Sequence, residues 1–494
     1  MKYYLPLLCL IFLACDQESK PSSEKTITSQ ARPSNSVSPV VEVDPFDEAY
    51  STLRRDAFRR EERFRNALQP GYLFQRTRLE QSEVRAKHWS VEELYQLGGQ
   101  LFDLSFTHAE GLGTGRLKRF RRVHLGNRSN LDAVRCTACH WRGGVAGAGD
   151  ASDNVYFAGD GDRPSSGLER NAPALAGVGA LELMAKTLSA QLHQQREDLI
   201  KFTRNAGYAV RESLKVQGID FGHLTVYPNG TIKTDEIMGV DPDLIIKPFG
   251  RKGQLASLRE MIEESLFIHH GLQSEWAVDH WSRERLGDGP KDDPDNDGVI
   301  REITEGQITA LTIFLALQSL PIIEPPEDTR LISKWGNGRI VFETIGCADC
   351  HKPTLKLSSS VYQLVDREVD DEFNFDLQTH GPPPRLSSST TDEGIILRLF
   401  SDLKRHKMSS EMADSKPSGL LAADVFITPP LWGLARSRPY MHDGRAPTIE
   451  AAILLHGGEA QSSRDAFAAL EPRDLSSLRI FLMSLTRAKR FTAH

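Results

Sequence analysis

The pentapeptides "CTACH" (residues 136–140) and "CADCH" (residues 347–351) repeat one pattern, in which two cysteines are separated by two residues and followed at once by a histidine. C-x-x-C-H is the attachment motif of c-type haem. The two thiols form thioethers with the haem vinyl groups, and the adjacent histidine reaches the iron from one face. We therefore expect two covalently bound haem c groups, held by Cys136, Cys139, His140, Cys347, Cys350 and His351.

Other uses of these cysteines explain the pattern less well. The two pairs lie about 200 residues apart, whereas a zinc ribbon places its second pair about 15–20 residues after the first. Structural disulfides occur in exported proteins, but they would leave the repeated histidine without a reason. The remaining two cysteines, Cys9 and Cys15, belong to the N-terminal segment.

The N-terminus reads as a targeting segment. "MKYYLPLLCLIFLAC" (residues 1–15) has a lysine, a short apolar stretch and a small residue before Cys15, which is typical of an export signal too short to span a bilayer. The ending "FLAC" resembles the bacterial lipobox and predicts lipidation of Cys15. A plain cleaved signal is the alternative, since Phe12 stands where leucine is usual. Both interpretations predict export, and we expect a periplasmic protein.

Composition predicts how the rest of the chain is organised. Residues 16–45 are rich in serine and proline, so we expect a disordered tether that leaves lipid as the only membrane contact. A chain of 494 residues is too long for one ordinary core. The proline-rich stretch 319–330 is the natural linker between an N-terminal haem domain (46–325) and a C-terminal one (326–494). The net charge of −7 gives no reason to expect nucleic acid as a partner.

Hydrophobic periodicity predicts a mainly α fold made of two class-c-type cytochrome domains. Helices are predicted for 91–106, 181–216 and 254–272, for the segment leading to the second motif, and for 471–486. One exception is "LTVYPNGTIKT" (224–234), where Asn229-Gly230 predicts the tight turn of a small β-hairpin in the first domain.

Two further motifs carry candidate metal ligands. In "EAAILLHGGEA" (450–460), His456 ends an apolar helical run. It is either a helix C-terminal residue or a metal ligand. In "DPDNDGVIREITE" (293–305), Asp293, Asp295, Asp297 and Gly298 follow the order of the first half of a calcium loop. Thr304 occupies the position of the usual glutamate, with Glu302 and Glu305 on either side, and an acidic surface turn is the alternative to a Ca²⁺ site.

Together these motifs resemble a known family. The tandem C-x-x-C-H motifs, "RNAPAL" (170–175) and "TPPLWGLARSRPYMHDGRAPTIEAAILLHGGEA" (428–460) are similar to the bacterial di-haem cytochrome c peroxidase superfamily. The similarity is greatest to its branch of di-haem oxidoreductases (putative peroxidases), and it extends over roughly residues 95–490.

The resemblance implies different roles for the two haems. The C-terminal haem would relay electrons, with His351 and His456 as its iron ligands; Met441 and His442 are rivals to His456 by residue type. The N-terminal haem would be the reactive one, with His140 as its permanent ligand. Its acid/base group is expected in "EESLFIHHGLQ" (263–273), where His269 and His270 are the candidates and Glu263 and Glu264 are weaker ones. Either histidine could instead bind the iron and close the site.

We also expect arginines at the haem propionates, because guanidinium binds carboxylates bidentately. Arg163, Arg170 and Arg445 flank haem motifs, although each could equally be a solvated surface residue.

The implied activity is the reduction of hydrogen peroxide with electrons from a small c-type cytochrome or copper protein. Two alternatives stay open: an oxidase that modifies a protein or organic substrate, and an electron carrier if both irons have six ligands.

Overall fold

A computed structural model of the protein describes residues 78–112, 133–150, 168–366, 371–387 and 394–487, together with the short strands at 122–124, 127–129 and 155–157. These residues lie within one compact unit, Ser51–His494. The predicted signal segment, tether, lipid site Cys15 and propionate partner Arg163 lie outside the described residues. The boundary between haem domains at residue 325 stays a prediction.

Helices make up most of the regular structure. The α-helices are α1 Gln81–Arg85, α2 Val91–Asp103, α3 Val178–Ala206, α4 Leu258–Ser265, α5 Glu275–His280, α6 Arg283–Leu286, α7 Glu305–Ala316, α8 Thr329–Thr344, α9 Cys347–Cys350, α10 Ile449–Leu455, α11 Gln461–Ala468 and α12 Pro472–Met483. Among the described residues, none of these helices combines the length and apolar character that crossing a membrane requires.

Strands are short and form small antiparallel sheets. The two-stranded sheets pair β1 Arg122–His124 with β2 Asn127–Ser129, β3 Val155–Phe157 with β4 Leu168–Arg170, β8 Ile322–Ile323 with β15 Leu485–Thr486, β9 Leu355–Leu357 with β12 Ile395–Leu397, β10 Val361–Asp366 with β11 Asp371–Asp376, and β13 Arg405–Lys407 with β14 Val425–Ile427. The remaining sheet has the order β5 Val210–Val216, β6 Ile219–Val226 and β7 Ile232–Lys233.

Two helix crossings of the same kind stand beside the two C-x-x-C-H motifs. Helix α2 precedes the first motif and packs against α7, and helix α8 precedes the second and packs against α12. A glycine lies at each contact: a Cβ at Gly98 would come 2.1 Å from the Ala310 carbonyl oxygen, and one at Gly338 would come 2.0 Å from that of Ser477. Close backbone approach therefore fixes both crossings.

The apolar interior divides into a larger and a smaller cluster. The larger cluster contains residues of α2, α3 and α7 and of the three-stranded sheet. It also contains residues between Leu355 and Leu403. The smaller cluster joins α8 and α12 with Phe400 and Tyr440. Part of the chain that follows the second motif thus completes the core beside the first.

The prediction of one helix over 181–216 is wrong in its last part. Helix α3 ends at Ala206, and Gly207 has a φ of 74°, a left-handed conformation that glycine adopts without a steric penalty. Residues Val210–Val216 form a strand paired with Ile219–Val226. The predicted turn at Asn229-Gly230 connects this second strand to Ile232–Lys233.

Candidate haem-binding site

Both motif histidines form a hydrogen bond from one ring nitrogen to a backbone carbonyl oxygen. Nδ1 of His140 is 2.9 Å from the Pro173 carbonyl oxygen, and Nδ1 of His351 is 3.0 Å from that of Phe400. A carbonyl oxygen only accepts, so each Nδ1 must carry the proton. Nε2 is then the unprotonated nitrogen, the form in which imidazole binds a metal.

Burial keeps these two imidazoles neutral. It lowers the pKa of His140 to about 4, against backbone hydrogen bonds that raise it. It lowers the pKa of His351 to about 4 as well, and the nearby positive charge of His456 adds to the effect. Since a protonated imidazole cannot ligate, both environments favour the metal-binding form.

His456 lies near His351, as a second ligand would. It is the C-cap residue directly after α10, a helix whose first turn is capped by Thr448. Its Nδ1 is 2.8 Å from the Ala452 carbonyl oxygen, and burial lowers its pKa. His456 thus ends a helix and also presents Nε2, so the two interpretations of its sequence position are compatible.

Its two rivals are placed differently. His442 is buried, with Nε2 3.3 Å from Asp414 and its ring stacked on Phe426 at 4.5 Å. Asp414 thus already takes one ring nitrogen of His442. Met441 has a φ of 76° and packs against the smaller core.

The segment carrying His269 and His270 has an unusual backbone. Helix α4 continues as a π-helical turn, Leu266–His270, which ends at Gly271 in the left-handed conformation. π-Helical turns are rare in proteins overall, but those that occur are often located at functional sites. The sequence gives no signal for this change of winding, since its apolar pattern is that of an ordinary helix.

The two histidines of this turn have different surroundings. His270 is buried at 3% exposure, with Nδ1 2.9 Å from the Ala133 carbonyl oxygen and Nε2 3.8 Å from Cys136 Sγ. His269 is partly buried and near enough to His140 for its positive charge to lower the pKa of that ligand. The fold therefore brings His269 toward the first motif histidine. Of the weaker candidates, Glu264 pairs with Arg285.

The state of the four motif cysteines and of one buried arginine indicates whether the residues around the two motifs could hold haem. Cys136, Cys139, Cys347 and Cys350 form no disulfide, as thioether attachment requires. Arg487 is buried at 5% exposure, and its Nη1 has no hydrogen-bond partner. Burial lowers its pKa to about 10.

A second arginine, which is partly buried, has the same need for an anion. Burial lowers the pKa of Arg251 to about 10, and among the described residues Arg251 hydrogen-bonds the Asn171 carbonyl oxygen but makes no salt bridge. A buried cation is costly without a partner. Haem propionates would satisfy both arginines, and in this respect the residues present fit the group.

The arginines predicted for the propionates are paired within the protein. Arg170 binds Asp414 through two bonds of 2.8 and 2.9 Å, and Arg445 binds Asp443. Arg170 and Arg445 thus already have carboxylate partners. Arg251 and Arg487 have none among the described residues, so Arg251 and Arg487 are the stronger candidates. Sequence reasoning missed these two because nothing local marks them as buried.

Asp414 also joins a polar network next to Arg170. Lys252 is fully buried, with Nζ 3.1 Å from Asp414 and within 3.1 Å of three backbone carbonyl oxygens. His442 contacts the same carboxylate. Burial raises the pKa of Asp414, but hydrogen bonds with His442 and Arg170 outweigh it and hold the pKa below its ordinary range. One carboxylate thus neutralises a buried arginine and a buried lysine.

Motif cysteines without disulfides, motif histidines kept neutral by burial and two arginines without a carboxylate partner among the described residues are together compatible with haem binding. Residues 389–485, which contain His456, match the family model "Di-haem oxidoreductase, putative peroxidase". The resemblance seen in the sequence is thereby confirmed over these residues. The family implies haem cofactors and oxidoreductase chemistry.

Comparisons over most of the chain find only weak similarity to known proteins. No curated protein matches the chain. Kuenenia stuttgartiensis hydrazine synthase is similar at 15% identity, over 85% of this chain and 98% of its own, with a TM-score of 0.35. A MauG-like protein associated with microbial copper homeostasis is similar at 16% identity, over 80% and 89%, with a TM-score of 0.34. Scores at this level do not define a common fold.

Proposed function

We propose that this protein is a periplasmic di-haem c oxidoreductase, tethered by lipidated Cys15, that reduces hydrogen peroxide with electrons from a small c-type cytochrome or copper protein. The observation that carries the proposal is the placement of a second histidine near each motif histidine. His456 stands near His351, and His269 near His140. Bound haem supplies the one-electron chemistry and the cleavage of the O–O bond.

The protein side of the reaction has two tasks. His351 and His456 would hold the electron-relaying haem and leave no ligand position there for external molecules. At the other haem, His140 would be the permanent protein ligand, and the imidazole of His269 would move a proton from one peroxide oxygen to the other. With two electrons and two further protons, each oxygen leaves as water. Histidine suits this transfer because its ordinary pKa lies near neutral pH.

A second candidate is supported by the same placement. If Nε2 of His269 ligates instead of moving a proton, both groups have two protein ligands and the protein is an electron carrier. The proximity of His269 to His140 favours this reading.

Spectroscopy of the purified holoprotein distinguishes the two. A peroxidase gives a high-spin signal from one haem that shifts when cyanide or peroxide is added. The His269→Ala variant keeps that signal and loses peroxide turnover about 10²–10⁴-fold, the usual contribution of an acid/base group. A carrier gives two low-spin haems in every redox state, and His269→Ala then creates the high-spin signal.

Two controls accompany this experiment. His193→Ala removes a histidine whose ring bonds the Asp243 carbonyl oxygen, and we expect wild-type spectra and turnover. A donor series separates peroxide reduction from oxidation of a protein or organic substrate. Slow turnover with every small donor would contradict the peroxidase proposal.

A further inference from the structure

The loop at residues 293–298 gathers three carboxylates outside the haem surroundings. One ligand oxygen each from Asp293, Asp295 and Asp297 lies within 4.8 Å of the others. Asp293 accepts hydrogen bonds from the backbone N–H groups of Asp297 and Gly298, both at 3.1 Å. Gly298 has a φ of 92°, which supplies the sharp turn of such a loop.

A buried oxygen without a donor points to a missing cation. Asp295 is 7% exposed, and its Oδ1 has no hydrogen-bond partner. An acidic surface turn would keep its carboxylates in water, so burial of Asp295 contradicts that interpretation of the motif.

The structure also decides which glutamate faces the loop. Glu305 is committed elsewhere, since it pairs with buried Arg259 and accepts from the Trp276 N–H. Thr304 is the N-terminal cap of α7. Glu302 is the one near enough to the loop for Asp295, Asp297 and Asp293 to act on its carboxyl group, and it has no ion pair among the described residues.

We propose that Asp293, Asp295, Asp297 and Glu302 form a Ca²⁺ site. Four carboxylates supply the hard oxygen ligands that Ca²⁺ prefers, and its flexible coordination tolerates a glutamate two positions before the usual one. The cation balances charges that otherwise repel one another.

Hydrogen bonds connect the proposed site to the segment that follows the π-helical turn. Glu302 accepts a hydrogen bond of 2.7 Å from the Gln273 N–H, and Ser274 forms a β-bridge with Ile303. Two residues separate Gln273 from His270. Bound Ca²⁺ therefore stabilises the backbone on which His269 and His270 stand, whatever their role at the haem.

Calorimetry on the full-length holoprotein, treated with EDTA and then freed of it, tests the site. Titration with CaCl₂ shows one site per chain in the wild type. Asp295→Asn and Glu302→Gln each weaken it at least tenfold. Asp292→Asn, an exposed neighbour in the same loop, binds as the wild type does.

Thermal unfolding adds a second test, because Ca²⁺ should reverse the effect of Asp295→Asn on the unfolding temperature. Without Ca²⁺, Asp295→Asn unfolds at a higher temperature than the wild type, because the change removes a repelled buried charge. With Ca²⁺ the order reverses. No binding heat at millimolar CaCl₂, equal binding by all variants, or equal binding of MgCl₂ and CaCl₂ would each overturn the proposal.

Discussion

His456 combines a local hydrogen bond to Ala452 with a position near His351, which is distant in sequence. Its Nδ1 hydrogen-bonds the Ala452 carbonyl oxygen one turn back in the chain, and Nε2 is the nitrogen that would bind iron in the proposed site near His351. The sequence marks the position through an apolar run that ends in a histidine. It cannot show that His351 lies nearby, because that proximity depends on the fold between residues 351 and 456.

Exchanging this ligand should change the redox potential. We expect His456→Met to raise the midpoint potential of the second haem, since Met/His ligation gives higher potentials than bis-histidine ligation. Potentiometric titration followed by absorbance measures the shift. Met441→Leu serves as the control and should leave the potential unchanged. A shift in Met441→Leu with none in His456→Met would make Met441 the ligand.

Loss of the Asp414 carboxylate should cost substantial stability. Asp414→Asn leaves Arg170 and Lys252 buried without their anion, and breaking a buried pair costs about 3–5 kcal/mol. Denaturant unfolding measures this loss. Asp465→Asn removes an exposed partner of Arg464, and its cost should stay below about 1 kcal/mol. Similar small losses in both variants would contradict the assigned role.

The same carboxylate predicts a pH dependence. Because the pKa of Asp414 is lowered in the folded protein, its stabilisation is fully present above its ordinary pKa and is lost as pH falls through the folded value. The difference in stability between wild type and Asp414→Asn should therefore be constant from about pH 5 to 8 and shrink below about pH 4. A difference that shrinks already near pH 6 would implicate another group.

At the scale of elements, each haem motif follows a helix that crosses a later helix at a glycine. Gly338→Ala should unfold or loosen the second crossing, because the added Cβ meets the Ser477 carbonyl oxygen at 2.0 Å. Gly336 is in the same helix with nothing within 4 Å of its Cβ. Gly336→Ala should therefore be neutral or stabilising by about 0.5–1 kcal/mol.

Thermal midpoints and haem content per chain measure both glycine variants. Equal behaviour of Gly336→Ala and Gly338→Ala would show that the crossing tolerates a methyl group.

Element types followed from local pattern more readily than their ends did. Helices α2, α8 and α12 lie where apolar spacing predicts them. The end of α3 was missed because charged residues on both sides of Gly207 favour helix equally. The strand after it is defined by burial of Leu214 and Val216, which depends on residues far away in sequence.

At the scale of the whole molecule, the predicted halves share an interior. A chain limited to residues 46–325 lacks the buried residues between Leu355 and Leu403 that pack into the larger core. We expect it to expose apolar surface, bind a hydrophobic dye and aggregate. Co-expression with residues 326–494 should restore a soluble complex. Cooperative unfolding of residues 46–325 alone would contradict the shared core.

Candidate sites that rest on local spacing can be read from the sequence, whereas those that rest on contacts between distant residues cannot. The C-x-x-C-H motifs and the calcium-like loop can be recognised within a few residues. Arg251, Arg487 and the choice of Glu302 over Glu305 depend on contacts across more of the chain.

The position of Arg487 near the end of the sequence bears on the order in which the chain is synthesised and modified. It donates to the Val145 carbonyl oxygen at 2.9 Å, beside the first C-x-x-C-H motif, yet the ribosome adds it more than 300 residues after that motif. During synthesis the first motif therefore emerges long before its arginine neighbour. In the proposed haem protein, attachment of porphyrin to Cys136 and Cys139 therefore need not wait for Arg487.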